Sequence, residues 1–133
     1  MSIGKYFEVK DLGDFPENIF AFNYIPQIKI LKETGIFITH GRINSINEAI
    51  FMNKLPVIII PQDLDQIDNA KQIEKLQAGI FLDNNNINPE ILGNAVNNFI
   101  GNKEKFKNGV EKISQSFIES REERKKVYKK IFV

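Results

Sequence analysis

Two four-residue runs, Ile36-Phe37-Ile38-Thr39 and Val57-Ile58-Ile59-Ile60, are β-branched or aromatic at every position, with no polar alternation. A strand with one face in water alternates apolar with polar residues, so runs of this kind predict strands covered by helices on both sides. The intervening segments carry the helical period: Ser45 to Met52 puts Ile46, Ala49 and Ile50 on one face, and Asp65 to Leu76 does the same with Ile67, Ala70, Ile73 and Leu76. Strands alternating with amphipathic crossover helices predict the α/β class, here a partial Rossmann-like parallel sheet with flanking helices. Ile19-Phe20-Ala21-Phe22 and Gly79-Ile80-Phe81-Leu82 form a weaker pair of strand candidates.

After Leu82, the turn Asp83-Asn84-Asn85-Asn86 leads to Asn88-Pro89, a cap and first helical residue for a helix reaching about Ile100. Gly101-Asn102 stops it. From Lys103, Phe106, Val110, Ile113, Phe117 and Ile118 recur at helical spacing, followed by a charged stretch from Arg121 to Lys130. The beginning is less regular. Met1-Ser2-Ile3-Gly4 is a candidate short strand, and Lys5 to Asn18, with Gly13 and Pro16, reads as loop. A doubly wound sheet normally opens with a whole strand and helix, and that opening unit is expected to be missing. At 133 residues, the expectation is a single partial domain spanning 1–133.

Composition removes several functions. With no Cys and one His, thiol nucleophiles, iron–sulfur clusters, Cys-ligated zinc and multi-histidine metal sites are all excluded. A net charge of +1 provides no general field for nucleic acid. The basic residues Arg121, Arg124, Lys125, Lys126, Lys129 and Lys130 are interrupted by Glu122 and Glu123 and read as a solvated helix face. No apolar run approaches the roughly 20 residues that span a bilayer, and the start lacks the apolar core of a signal peptide, so the expected compartment is the cytoplasm.

Ligands of open parallel sheets sit outside the carboxyl ends of the strands, which directs attention to the residues after Thr39 and Ile60. His40-Gly41-Arg42-Ile43-Asn44-Ser45-Ile46-Asn47-Glu48 reads as strand, turn and helix start. Free amides at a helix start favour phosphate, Gly41 lets the backbone approach closely, and His40, Asn44 and Ser45 add donors suited to a diphosphate. Glu48, one turn into the helix, suits the vicinal diol of a ribose. Ser45-x-x-Glu48 is equally the pattern of a capping box, whose side chains satisfy backbone donors and bind nothing. A lone His after a strand is as often a hydrogen-bonded core residue. In Pro61-Gln62-Asp63-Leu64-Asp65-Gln66, Asp65 and Gln66 suit sugar hydroxyls, yet Asp63-x-x-Gln66 also fits the box. In Asn23-Tyr24-Ile25-Pro26-Gln27, Tyr24 offers a face for stacking on a base or for plain packing.

Taken in order, Tyr24-Ile25-Pro26-Gln27, Phe37 to Ala49, Pro56 and Pro61 to Ala70 resemble the donor-binding signature of UDP-dependent glycosyltransferases, the bacterial macrolide-glycosyltransferase branch in particular. The likeness continues through Leu76-Gln77-Ala78-Gly79-Ile80 and covers nearly the whole chain. The resemblance implies the C-terminal domain of the two-domain GT-B architecture, with UDP or a UDP-hexose as co-substrate and no further cofactor. It implies Tyr24 against the uracil, Gln27 near base and ribose, His40, Gly41, Asn44 and Ser45 at the diphosphate, Glu48 at the ribose, and Asp65 and Gln66 at the sugar. No catalytic base is implied within the chain. The implied function is the donor-binding part of a glycosyltransferase, inactive alone: a fragment, a truncated reading frame, or a split-gene subunit that a separate acceptor-domain chain could complete. The contrasting expectation is a non-catalytic interaction or remnant domain that has lost nucleotide binding and self-associates or pairs with a partner.

Three departures from the pattern accompany the likeness. Arg42 stands where the family usually has a second Gly, adding a cation or crowding the turn. The stretch from Glu48 to Pro56 is about one residue long, an excess expected in the Asn53-Lys54 turn. The family's N-terminal domain and the first strand and helix of its donor domain are expected to be absent.

Overall fold

A computed structural model describes residues 1–132 apart from Ile3, Phe7 and Phe15, with side chains as far as Ser116 and, beyond it, those of Glu119 and Glu123. The expectations for Ile3, for the side chains of Phe117 and Ile118, and for the basic residues from Arg121 to Lys130 lie outside the described residues. The chain divides into two units, Met1–Glu33 and Thr34–Val133.

In the first unit, one turn of 3-10 helix spans Val9–Leu12 and helix α1 spans Gln27–Leu31. Ile19 to Phe22 is not a strand. Its pairing is a single parallel bridge, Ser2 to Phe22, supported by Phe22 N donating to the Met1 carbonyl at 2.9 Å and the Met1 ammonium donating to the Phe20 carbonyl at 2.7 Å. Ile19 N is turned back onto the Pro16 carbonyl at 2.9 Å. Phe20 and Phe22 remain exposed, so the hydrophobic gain that would extend the ladder is missing.

The second unit holds the predicted sheet. Strands β1 (Phe37–Thr39), β2 (Val57–Ile59) and β3 (Gly79–Phe81) pair in parallel in the order β1-β2-β3, with Ile38 opposite Ile58 and Ile58 opposite Ile80. Helix α2 (Ile43–Ile46) runs directly into a π-wound segment, Asn47–Met52, between β1 and β2. Helix α3 (Leu64–Lys75) joins β2 to β3. A 3-10 turn at Asn84–Asn86 precedes helices α4 (Pro89–Gly101) and α5 (Lys103–Phe132).

The central strand is buried on both faces, as its uninterrupted Val57-Ile58-Ile59 predicts, together with Ala49 and Ile50 of the π-wound segment and Val110 of α5. Each of these isoleucines contributes about 1.5–3 kcal/mol by leaving water. β1 lies at an edge, and its outward Ile38 is 43% exposed. Phe99 and Phe106 join α4 to α5 with ring centroids 5.6 Å apart. Asn88 caps α4 as expected, its side chain accepting from Ile91 N at 2.8 Å.

Helix α3 ends in a Schellman motif: Ala78 N donates to the Ile73 carbonyl at 3.1 Å and Gln77 N to that of Glu74 at 3.0 Å. The residue this motif needs in the left-handed region is usually Gly, and here it is Gln77, with φ 61°. Glycine is instead required on the helix that covers the turn. A Cβ on Gly109 of α5 would overlap the Gln77 carbonyl, so α5 lies backbone to backbone on this turn.

Thermal denaturation checks both statements. Gln77→Gly is expected to stabilise by about 1 kcal/mol through relief of the left-handed Cβ clash. Gly109→Ala is expected to destabilise by roughly 1–3 kcal/mol through overpacking.

Candidate functional site

Because β1 and β2 are parallel and in register, Thr39 opposite Ile59, the segments leaving them emerge at the same rim. Ile60 N donates to the Thr39 carbonyl at 2.9 Å, carrying the ladder one residue further. The chain turns away at Gly41, which is buried with φ 93° and whose amide donates to the buried Thr39 hydroxyl at 3.3 Å. A Cβ at Gly41 would stand 2.6 Å from Ile59 Cγ2 and 3.7 Å from the Gln66 carbonyl. Asn69 Nδ2 donates to the Gly41 carbonyl at 3.2 Å from the second turn of α3. The β1 turn and the start of α3 are thus packed against each other, and the two polar segments singled out in the sequence meet at one place.

The Ser45-x-x-Glu48 capping box does not form. Helix α2 begins three residues earlier than the capping-box pattern predicts, with Arg42 at the N-cap, whose side chain makes no capping hydrogen bond. Ser45 therefore lies inside the first turn of α2 and Glu48 in the π-wound segment. The helix start is left uncapped, with the partial positive charge that attracts anions. Asn44 is exposed there, and His40, Ser45 and Glu48 are half-buried.

Arg42 does not strain the turn. Its φ of −65° and ψ of 146° are open to any residue, and the left-handed position is taken by Gly41. Its side chain is exposed and forms no ion pair among the described residues.

At β2 the Asp63 cap does form, accepting from Gln66 N at 3.0 Å. The return arm is shifted by one residue: Gln66 Oε1 accepts from Gln62 N at 2.8 Å rather than from the Asp63 amide. Gln66 is only 4% exposed, so its carbonyl is committed to holding the loop, while the neighbouring Asp65 is exposed. Tyr24, 81% exposed, and Gln27, the first residue of α1, belong to the first unit. Three contributors were not apparent from the sequence: Thr39, Asn69 and Gln62, the last bonded to Ile60 and Asn84. Asn69 lies three residues after Gln66, on the same helix face, which is the signal that could have found it. Among the described residues no group of three or more His, Asp or Glu converges as a metal ion requires. No helix among them is long and apolar enough to cross a membrane.

A parallel sheet with crossover helices and a glycine turn at its carboxyl rim defines an α/β domain of Rossmann-like type. The chain belongs to the EryCIII-like C-terminal domain family (erythromycin biosynthesis protein CIII-like), whose model matches residues 6–127. It is 34% identical over 119 residues to the uncharacterized UDP-glucosyltransferase YdhE of Bacillus subtilis, covering 90% of this chain and 30% of that protein. The oleandomycin glycosyltransferase of Streptomyces antibioticus is 30% identical over 76 residues, 57% of this chain and 17% of that protein. Among solved structures, the glycosyltransferase of kitacinnamycin superposes with a TM-score of 0.75 at 26% identity, over 86% of this chain and 29% of that one. The family is that of the C-terminal domains of UDP-glycosyltransferases, including macrolide glycosyltransferases, and the architecture is GT-B. The chain spans less than a third of the length of the relatives it matches.

The glycine turn can be checked directly. Gly41→Ala is expected to lower stability by about 1–3 kcal/mol, from the left-handed φ and the contact with Ile59 together, measured by urea denaturation.

Proposed function

We propose that this domain binds a UDP-sugar as the donor half of a glycosyltransferase that passes a hexose to a small-molecule acceptor. The observation that carries the reading is the uncapped start of α2 beside the Gly41 turn, packed against the segment that presents Asp65. Backbone amides of that helix start, with His40, Asn44 and Ser45, would take the diphosphate. Arg42, exposed at the N-cap, adds a cation to the same rim. Glu48 would accept from the ribose hydroxyls, and Tyr24 and Gln27 would serve the base. Of the two residues assigned to the sugar, Asp65 has its carboxylate exposed for hydroxyls, whereas Gln66 holds the loop that presents it.

In the transfer, the bond between the anomeric carbon and the diphosphate oxygen breaks, and UDP leaves with the electron pair. Donors placed at the diphosphate stabilise that charge as it develops. The acceptor oxygen forms the new bond and gives its proton to a base. The sequence has one His, and this reading places it at the diphosphate, so the base and the acceptor pocket come from a further domain, on the same or a separate polypeptide.

Titration calorimetry of the 133-residue polypeptide with UDP tests the reading. UDP is expected to bind weakly, His40→Ala to weaken it by about tenfold, as for a lost hydrogen bond to a charged group, and no sugar to be transferred by this polypeptide alone. Absence of heat with both proteins would favour the interaction or remnant domain. Transfer by the polypeptide would overturn its incompleteness.

A further inference from the structure

The stretch between Glu48 and Pro56, which the sequence pattern makes about one residue too long, contains a change of helical winding. The helix from Ile43 changes to π winding over Asn47–Met52, which carries one more residue per hydrogen-bonded turn than an α-helix. Such a bulge can shift along a helix, and shifting it by one residue rotates the side chains it passes by about 100° about the axis. Its position therefore decides where Glu48 points. Ala49 and Ile50 of the bulge are fully buried.

Two side chains hold the bulge. Asn53 Nδ2 donates to the carbonyl of Glu48 itself at 2.6 Å. From α5, the buried Ser114 hydroxyl donates to the Ile50 carbonyl at 3.3 Å, across 64 residues of sequence. The same Ile50 carbonyl accepts Lys54 N at 3.1 Å, and that of Ala49 accepts Leu55 N at 2.8 Å. Three consecutive carbonyls, those of Glu48, Ala49 and Ile50, are thus held by groups outside the regular helical ladder, and Lys54 adopts φ 51° to complete the exit.

We propose that Asn53 and Ser114 are positioning residues for nucleoside recognition: they lock the bulge in place and so aim the Glu48 carboxylate at the ribose. The inference rests on the donor reading above, and goes beyond it in making ribose selectivity depend on α5, an element remote in sequence from every residue of the proposed pocket.

The test compares UDP with 2′-deoxyuridine diphosphate by titration calorimetry. A merely structural role would reduce the competent fraction equally for both ligands and leave their affinity ratio unchanged. Wild type is expected to favour UDP by about tenfold, the worth of one hydrogen bond to a carboxylate. Glu48→Gln serves as the reference and is expected to narrow that ratio. Asn53→Ala and Ser114→Ala are expected to narrow it to within about threefold, a partial loss of that bond, whereas Ser114→Thr, which keeps the hydroxyl, retains the wild-type ratio. A narrowed ratio in Glu48→Gln with the wild-type ratio in both alanine variants overturns the positioning role alone. An unchanged ratio in Glu48→Gln, or no UDP binding by wild type, overturns the ribose reading and the inference with it. Should Ser114→Ala fail to fold, Asn53→Asp, which cannot donate when ionised, carries the same expectation as Asn53→Ala.

Discussion

The close approach of the Gly41 backbone to Ile59 and the first turn of α3 is the constraint from which the site follows. Any side chain at that position would push the β1 turn off the sheet rim and separate it from the segment after β2. With no Cβ there, Thr39 and Asn69 can satisfy the amide and carbonyl of the turn from opposite sides. The polar residues that follow are then placed by the helices they begin, not by flexible loop. The cost is a left-handed backbone position that only glycine adopts without strain.

The parallel sheet was readable because its signals are local and agree with one another. β-branched runs, apolar helix faces and capping residues each pointed to the same elements, and Asp63 and Asn88 cap the helices they precede. The run from Ile19 to Phe22 shows the limit of that signal. Its composition suits a strand, but strand formation depends on a partner and a face to bury, and neither is encoded in four residues. The start of α2 escaped for a complementary reason. Arg42 has no capping side chain, so nothing in the pattern marks the boundary, and Ser45 and Glu48 imitate one three residues later.

The site was readable in residue type and less so in role. Asp63-x-x-Gln66 and Ser45-x-x-Glu48 look alike on paper, yet one caps a helix and the other lies within one. The difference is a matter of where the preceding strand ends and how tightly its turn closes, which depends on contacts across the sheet. The π winding was unreadable for another reason. Ile46, Ala49 and Ile50 are buried and recur at ordinary helical spacing, so hydrophobic spacing carries no trace of it.

The outward side of β1 has a consequence of its own. A fourth strand laid along that edge in the prevailing direction would flank Ile38 and deliver its own trailing loop next to the Gly41 turn. Whatever polypeptide supplied such a strand would thereby gain a place in the wall of the pocket, so that completing the sheet and furnishing the cleft would be accomplished in one step.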